Sequence, residues 1–247
     1  MEKDRNIALL IDCDNANYNA IEGVLNELAK YGITNIRRAY GNWKSSNLKG
    51  WESMLHPFAI KPVQQFAYTQ GKNATDAAMI IDAMDLLYTQ GLDGFALMTS
   101  DSDFTPLVMR ILTNGVKVYG FGEKKTPLPF VNACSSFIYT ENLEYSAETS
   151  NEKQPSKRQD NKKTRNELRG DAGLVNLLRN AAEQTADDDG WSSLGMVGQF
   201  ISNHTSFSPL NYGYKRLSEI VRATELFHID MRCNNSVMYI KDSREAR

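Results

Sequence analysis

The sequence predicts an α/β chain: a parallel sheet with helices on both faces, then a small winged-helix module. Three observations predict this. Apolar runs of strand length alternate with helical patterns across residues 5–145, which is how parallel β–α–β crossovers are written in sequence. A polar, basic stretch then interrupts the pattern. Beyond it, three helical segments are followed by two short strands around a polar turn, as in a winged helix.

The elements follow in order. Asn6–Asp12 (NIALLID) is a continuous apolar run ending in an acid, the mark of a strand buried on both faces. Asn17–Tyr31 spaces Ile21, Val24, Leu25 and Leu28 as a helix and stops at Gly32. Asn35–Tyr40 and Phe58–Phe66 are strand candidates, with a short helix at Trp51–Leu55 between them. Thr75–Tyr88 sets Ala77, Ile80, Ile81, Met84 and Tyr88 on one face, an amphipathic helix. Phe95–Thr99 reads as a strand, Phe104–Thr113 as a helix, Val116–Phe121 as a strand and Phe137–Tyr139 as the last strand.

Composition bounds the function. The chain has 247 residues, 41% apolar and 23% charged, with a net charge of −2. That excludes global disorder and a basic nucleic-acid coat. No apolar run is long enough for a membrane span. The opening MEKDRNIALLIDCDN reads as a strand rather than a targeting leader. Three scattered cysteines (Cys13, Cys134, Cys233) suit neither a disulfide framework nor a zinc site. The expectation is a reduced, cytoplasmic protein. The charge is divided along the chain. Residues 1–145 carry 13 basic and 16 acidic side chains, and residues 171–247 carry 8 and 10. From Lys153 to Arg169, seven basic residues stand against Asp160 and Glu167. Such a segment is expected to be a flexible tether that can also grip phosphates.

In parallel sheets, ligands sit beyond the carboxyl ends of the strands. Asp12, Asp14 and Asn15 follow the first strand. Ser100, Asp101, Ser102 and Asp103 follow FALMT, and Asp76 opens a helix after GKNAT. Acids gathered in one crevice repel and lose hydration, so they call for a cation. Oxygen ligands suit Mg²⁺ or Mn²⁺, and such ions activate water against phosphoryl groups. Each acid also has a plainer reading. Asp76 could simply favour a helix N-terminus, and Asp101 and Asp103 could cap the next helix. Asp12 is harder to dismiss, because an acid ending an apolar strand serves little structural purpose. Cys13 should face the other way as a core residue. Asp82 and Asp85 turn away from Asp76 and read as solvated helix acids. Lys72, Trp43, Lys44, Lys124 and Lys125 lie near the same crevice, where cations can hold phosphates and an aromatic ring can stack a base. YGFGE lacks the spacing of a dinucleotide fingerprint.

The strings IDCDNAN, RRAYGNW with LKGW, QQFAYTQGKNATDAAMIIDAMDLLY, TSDSDF and VYGFGEKKTPLPFVNACSSFIY resemble an NYN domain of the LabA-like type. That family belongs to the PIN-like ribonuclease superfamily. The likeness spans residues 5–145. It implies a three-layer αβα fold and a divalent-metal ribonuclease site. The family's acidic positions fall on Asp12, Asp76, Asp101 and Asp103, and Asn15 matches the polar residue after the first strand. None of the acidic positions is substituted.

The second module reads as helices at Ala172–Thr185, Trp191–His204 and Lys215–Thr224. Strands follow at Phe227–Met231 and Val237–Ile240, joined around Asn234–Asn235. The segment W-x-x-L-x-x-VG-x-x-I with F-S-P-x-x-YGYKRLSEIV resembles the OST-HTH (LOTUS) domain over residues 170–243. That likeness implies RNA binding and, in some members, a protein partner. Tyr212, Tyr214, Lys215 and Arg216 cluster where helix-turn-helix modules read nucleic acid, although the two tyrosines could equally be packing residues. His56, His204 and His228 are isolated and receive no role.

The expected organisation is an NYN domain at 1–145, a basic flexible linker at 146–169 and a winged-helix RNA-binding domain at 170–247. The expected function is hydrolysis of RNA phosphodiester bonds with Mg²⁺ or Mn²⁺. Asp12, Asp76, Asp101 and Asp103 would ligate metal or orient water, and Asn15 would assist. Lys72, Trp43, Lys44, Lys124, Tyr214, Lys215 and Arg216 would contact RNA, single-stranded or structured. One alternative is a catalytically silent RNA-binding scaffold. Another is a phosphatase resembling the haloacid dehalogenases, suggested by Asp12-x-Asp14, but its partner motifs are not found in order. Oligomeric state is left open.

Overall fold

The computed structural model describes residues 5–65, 74–143 and 162–244. The chain divides into two units, at residues 1–153 and 154–247.

In the first unit, β1 (Asn6–Asp12) lies inside a six-stranded sheet because its apolar run needs cover on every side. Ile7 through Ile11 are all buried. β1 pairs in parallel with β2 (Ile33–Gly41) and with β4 (Gly94–Met98). Beyond β4 come β5 (Lys117–Gly122) and β6 (Ser136–Tyr139), also parallel. β3 (Lys61–Gln64) pairs with β2 at the opposite edge, where Pro62 removes no bond a neighbouring strand would need. The order is β3-β2-β1-β4-β5-β6. The chain therefore winds one way from β1 and later returns to its other side. The gap between β1 and β4 is the switch point where such sheets bind ligands.

The described helices that flank the sheet include α1 (Ile21–Leu28), α2 (Lys49–Leu55), α3 (Ala74–Thr89), α4 (Thr105–Thr113) and α5 (Leu128–Ala133). α3, α4 and α5 pack on the face carrying Ala8, Leu10, Phe95 and Leu97. The alternate residues Ile7, Leu9 and Ile11 face the other side, where α1 buries Ile21, Val24 and Leu28. α1 needs Gly23, because a Cβ there would stand 2.8 Å from the Leu143 Cβ.

Several expectations are corrected. The helix read at Asn17–Tyr31 starts with a 3-10 turn, Tyr18–Ala20, and ends at Leu28. Asn17 caps that turn by accepting the Asn19 N–H at 3.0 Å. The strand read at Phe58–Phe66 shrinks to β3. Phe58 and Ala59 form a turn, with Ala59 at φ +50, and Phe66 lies outside the described residues. α5 follows Pro127 in a segment whose sequence pattern predicts no helix. The face assigned to α3 is split: Met79, Ala83 and Leu86 are buried, whereas Ile81 is 62% and Tyr88 59% exposed. The helix is apolar on nearly every side, so periodicity could not choose between its faces.

Asp82 is not a solvated acid. It accepts hydrogen bonds from the Arg38 guanidinium and the Tyr40 hydroxyl, both on β2. Burial pushes the Tyr40 phenol up, so it stays a donor. This clamp fixes α3 on the sheet. Asp82→Ala is expected to cost about 2 kcal/mol, since it strands two part-buried donors; urea unfolding of the first unit measures it.

The second unit contains α6 (Arg165–Gly170), α7 (Ala172–Gln184), α8 (Leu194–His204) and α9 (Leu217–Thr224). An antiparallel sheet joins β7 (Ser192–Ser193), β9 (Val237–Asp242) and β8 (Phe227–Arg232), in that order. Leu174, Leu178, Val197, Ile220 and Ile240 form its core. The wing turn runs through Cys233, Asn234 and Asn235 at φ 54, 55 and 64, a left-handed stretch that asparagine tolerates.

The expected linker does not extend to Arg169. Thr164 and Glu167 form a reciprocal capping box that starts α6, and Leu168 is fully buried. Basic residues assigned to the tether instead hold this unit together. Arg169 donates to the carbonyls of Thr224 and Glu225 at 2.8 and 2.7 Å. Arg165 pairs with Glu225 at 2.8 Å, and Lys163 with Asp171 at 3.6 Å. Residues 146–161 of that tether lie outside the described residues. The second helix starts at Leu194, not Trp191, because Ser192 and Ser193 pair with β9. The third starts at Leu217, not Lys215, after a turn with Gly213 at φ +80. No described helix is long and apolar enough to cross a membrane.

Candidate active site

Asp12 ends β1 with its side chain fully buried. Its Oδ2 accepts the Thr99 hydroxyl at 2.7 Å and the Asn15 amide at 3.0 Å. Its Oδ1 takes a long bond from the Asp14 N–H at 3.3 Å. Burial raises the Asp12 carboxyl above the ordinary range; the bonds from Thr99 and Asn15 oppose that, and the charge of Asp14 adds to it. No described cation pairs with Asp12. Its partners orient it without neutralising it.

Thr99 escaped the sequence reading. It ends the run that forms β4, and the parallel register places it beside Asp12, one step beyond Ile11 opposite Met98. Its oxygen also accepts the Asp101 N–H at 3.1 Å. Thr99 therefore couples the two acid-bearing loops. Ser100 adds a second tie, donating its N–H to the Asn15 carbonyl at 3.2 Å.

Asp101 has the capping role that was one of its two readings. It accepts the Asp103 N–H at 2.8 Å and starts the 3-10 turn Ser102–Phe104. Asp76 sits in the first turn of α3. The Thr75 hydroxyl reaches Asp14 at 3.4 Å, so the start of α3 meets the loop after β1. Asp76 is pushed up to about 6, first by burial and then by the charges of Asp12, Asp101, Asp103 and Asp14. Acids from three separate segments thus share one field. Among the described residues, no three His, Cys, Asp or Glu side chains stand as a ready-made ligand set for an ion. Cys13 is buried, and desolvation raises its thiol, as suits a core residue and not a nucleophile.

The expected RNA contacts fare unevenly. Lys72 lies outside the described residues. Trp43 is half-buried and donates its indole N–H to the Val63 carbonyl at 3.1 Å, so its ring is engaged against β3. Lys44 and Lys124 are exposed. Lys125 pairs with Glu123 at 2.8 Å. In the second unit, Lys215 and Arg216 are exposed just before α9. Tyr214 is corrected to a packing residue: it is buried, and its hydroxyl donates to the Lys163 carbonyl at 2.8 Å. Tyr212 packs against the same core. An arrangement missed in the sequence is Arg232, whose guanidinium lies 4.2 Å from the Tyr239 ring centre and 5.2 Å from that of Trp191.

Two family models agree with this layout. The NYN domain model matches residues 6–144, and the OST-HTH/LOTUS domain model matches residues 170–238. No curated protein matches. Among solved structures, a protein of unknown function from Vibrio parahaemolyticus is 19% identical. The match covers 56% of this chain and 94% of that one, with a TM-score of 0.46. LsrB from Clostridium saccharobutylicum in complex with AI-2 is 9% identical, with 87% and 52% covered and a TM-score of 0.31. The NYN match takes in the whole six-stranded sheet and all the acid-bearing loops, and it sets aside the phosphatase alternative. The chain belongs to the NYN domain family, and an OST-HTH/LOTUS domain follows.

Proposed function

We propose that the protein is a divalent-metal-dependent ribonuclease whose OST-HTH/LOTUS domain holds the RNA. One observation carries this reading: a fully buried, uncompensated carboxylate, Asp12, stands at the switch point with the acids of two other segments in its field. The donor chemistry fits Mg²⁺ or Mn²⁺, since every candidate ligand is a carboxylate oxygen and no described cation pairs with Asp12. Asp12, Asp76, Asp101 and Asp103 would hold the ion. Thr99 and Asn15 keep the Asp12 carboxylate aimed. A bound ion supplies an activated water and charge stabilisation for phosphoryl displacement. In the second unit Lys215 and Arg216 would contact phosphates, and in the first Lys44 and Lys124 would do so separately. Free cysteines, two of them buried, suit a reducing compartment such as the cytoplasm.

The catalytically silent scaffold is the second reading. It is favoured by the capping role of Asp101.

The test compares the wild type with Asp101→Ala on mixed single-stranded and structured RNAs, with and without Mn²⁺. Metal-dependent cleavage should disappear in the variant while RNA binding persists. Lys215→Glu with Arg216→Glu should weaken binding and lower its salt slope by about 2, roughly one per lost phosphate contact. Equal cleavage by both proteins would expose a contaminant and end the assignment. Binding without cleavage across Mg²⁺ and Mn²⁺ titrations would establish the scaffold.

A further inference from the structure

The second unit carries an open groove of about 480 Å³, within the size range of small-ligand clefts. The starts of α8 and α9 and the strand β9 form its walls, and Leu194, Gly195, Gly198, Leu217, Val237 and Met238 line it. Leu194, Leu217 and Met238 rest on the core with one side and stay half-buried, so their other side faces the groove. Gly195 and Gly198 stand one turn apart on α8 and bare its surface there. Packing requires neither glycine. A Cβ at Gly195 would meet nothing within 4 Å, one at Gly198 would make only ordinary contact with Leu217 at 3.6 Å, and neither residue has a positive φ. A glycine weakens a helix relative to alanine, so the space these two leave is a cost that the unit's own contacts do not explain.

The surroundings say what fits that space. Lys215 and Arg216 are exposed immediately before Leu217. Both helices start at the groove, with Leu194 and Leu217 as their first residues, and a helix start carries partial positive charge. Glu219, in the first turn of α9, turns back to accept the Lys215 N–H at 3.3 Å. Ser218 and Ser236 complete the lining and supply two hydroxyl groups. An occupant therefore needs an apolar part for the slot, negative charge beside it and few polar atoms within it. A nucleotide has that make-up, a flat base joined to a phosphate. A base enters such a slot only when it is unpaired, since a duplex keeps its bases stacked inside.

We infer that this groove takes one unpaired RNA base, stacked on the bare surface at Gly195 and Gly198, with the adjoining phosphates held by Lys215 and Arg216. The site rests on the reading that the second unit holds RNA, and it selects single strands over duplex.

Binding is measured on the full chain without divalent ions, so that no strand is cut, by anisotropy of a short labelled RNA. The probes are the single strand, its duplex and an abasic strand of equal length. The wild type should bind the single strand more tightly than the duplex and about tenfold more tightly than the abasic strand, the scale of one stacked base. Gly195→Leu fills the groove from an exposed helical position and should erase most of that preference for bases. Its melting temperature should not fall, because leucine favours the helix, and its salt slope should stay, because Lys215 and Arg216 remain. Gly198→Ala, with one added methyl and a raised melting temperature, should also bind the single strand less tightly, which no loss of folding could explain. Equal wild-type binding of the single and abasic strands overturns the inference. So does a folded Gly195→Leu protein that keeps the preference. If Lys215→Glu with Arg216→Glu still weakens binding in either case, the second unit holds RNA by its phosphates alone, and the groove is left to an apolar side chain of an acidic protein partner. A wild type that binds none of the probes ends the RNA-holding reading itself.

Discussion

Asp12→Asn is expected to lower metal-dependent RNA cleavage by about 10³-fold, the scale of removing one aligned charged group from a preorganised site, without loss of stability at neutral pH. Asp12 is fully buried, and its partners are neutral donors. Its carboxyl is raised above the ordinary range, chiefly by burial. The sign follows from linkage. The folded state holds this proton to higher pH than the unfolded chain does. Stability therefore declines as pH rises through the raised value. Asparagine has the same shape without the charge. Its oxygen can accept from Thr99 and Asn15 where Oδ2 now does, and its Nδ2 gives up only the long 3.3 Å bond from the Asp14 N–H. A purely structural Asp12 would behave differently: the variant would unfold more easily in urea while keeping its rate per folded molecule. Initial rates in Mn²⁺, paired with ion-free urea unfolding, separate the two cases. Retained cleavage in a folded Asp12→Asn protein would remove Asp12 from the site.

What the sequence revealed and what it hid follow physical lines. β1 was legible because burial on both faces requires an unbroken apolar run. The acids were legible because strand ends in a parallel sheet face one crevice, so Asp12, Asp76 and Asp101 could be grouped without a structure. Thr99 was not, because its bond to Asp12 depends on the lateral register of two strands that are distant in sequence. The exposed stripe of α3 was hidden by an excess of apolar residues, and Asp82 went with it. α6 was concealed by composition. One buried leucine and a capping box suffice to order Arg165–Gly170 against the rest of its unit, although the Thr164-x-x-Glu167 signal was visible. Tyr214 resembled a reading-helix aromatic, but the segment after Gly213 turns it inward to the Lys163 carbonyl. The Trp191, Arg232 and Tyr239 stack depends on β7 pairing with β9 beside β8, which no local pattern announces.

Asp76→Asn is expected to stabilise the ion-free protein at pH 7, to have little effect near pH 4, and to abolish the response to Mn²⁺. Asp76 is raised to about 6, first by burial and then by Asp12, Asp101, Asp103 and Asp14. An ordinary aspartate titrates near 4, so between about pH 4 and 6 the folded chain keeps a proton that the unfolded chain releases. Wild-type stability should fall across that window and level off above it. The full shift would correspond to about 3 kcal/mol, but Asp76 is only partly buried and solvent screens it, leaving about 1 kcal/mol. For a chain of this size that is about 3 °C in the melting temperature of the first unit. Mn²⁺ acts in the opposite direction, because an ion binds only the deprotonated carboxylate. It should raise the wild-type melting temperature at pH 7 far more than at pH 5, by the mass-action term for a ligand that favours the folded state. Thermal unfolding at pH 4, 5 and 7, with and without Mn²⁺, reads every part of this. A Mn²⁺ shift that ignores pH, or that survives in Asp76→Asn, would place the ion elsewhere. Stabilisation by the substitution together with loss of the ion response would mean that the fold tolerates this repulsion because a cation relieves it.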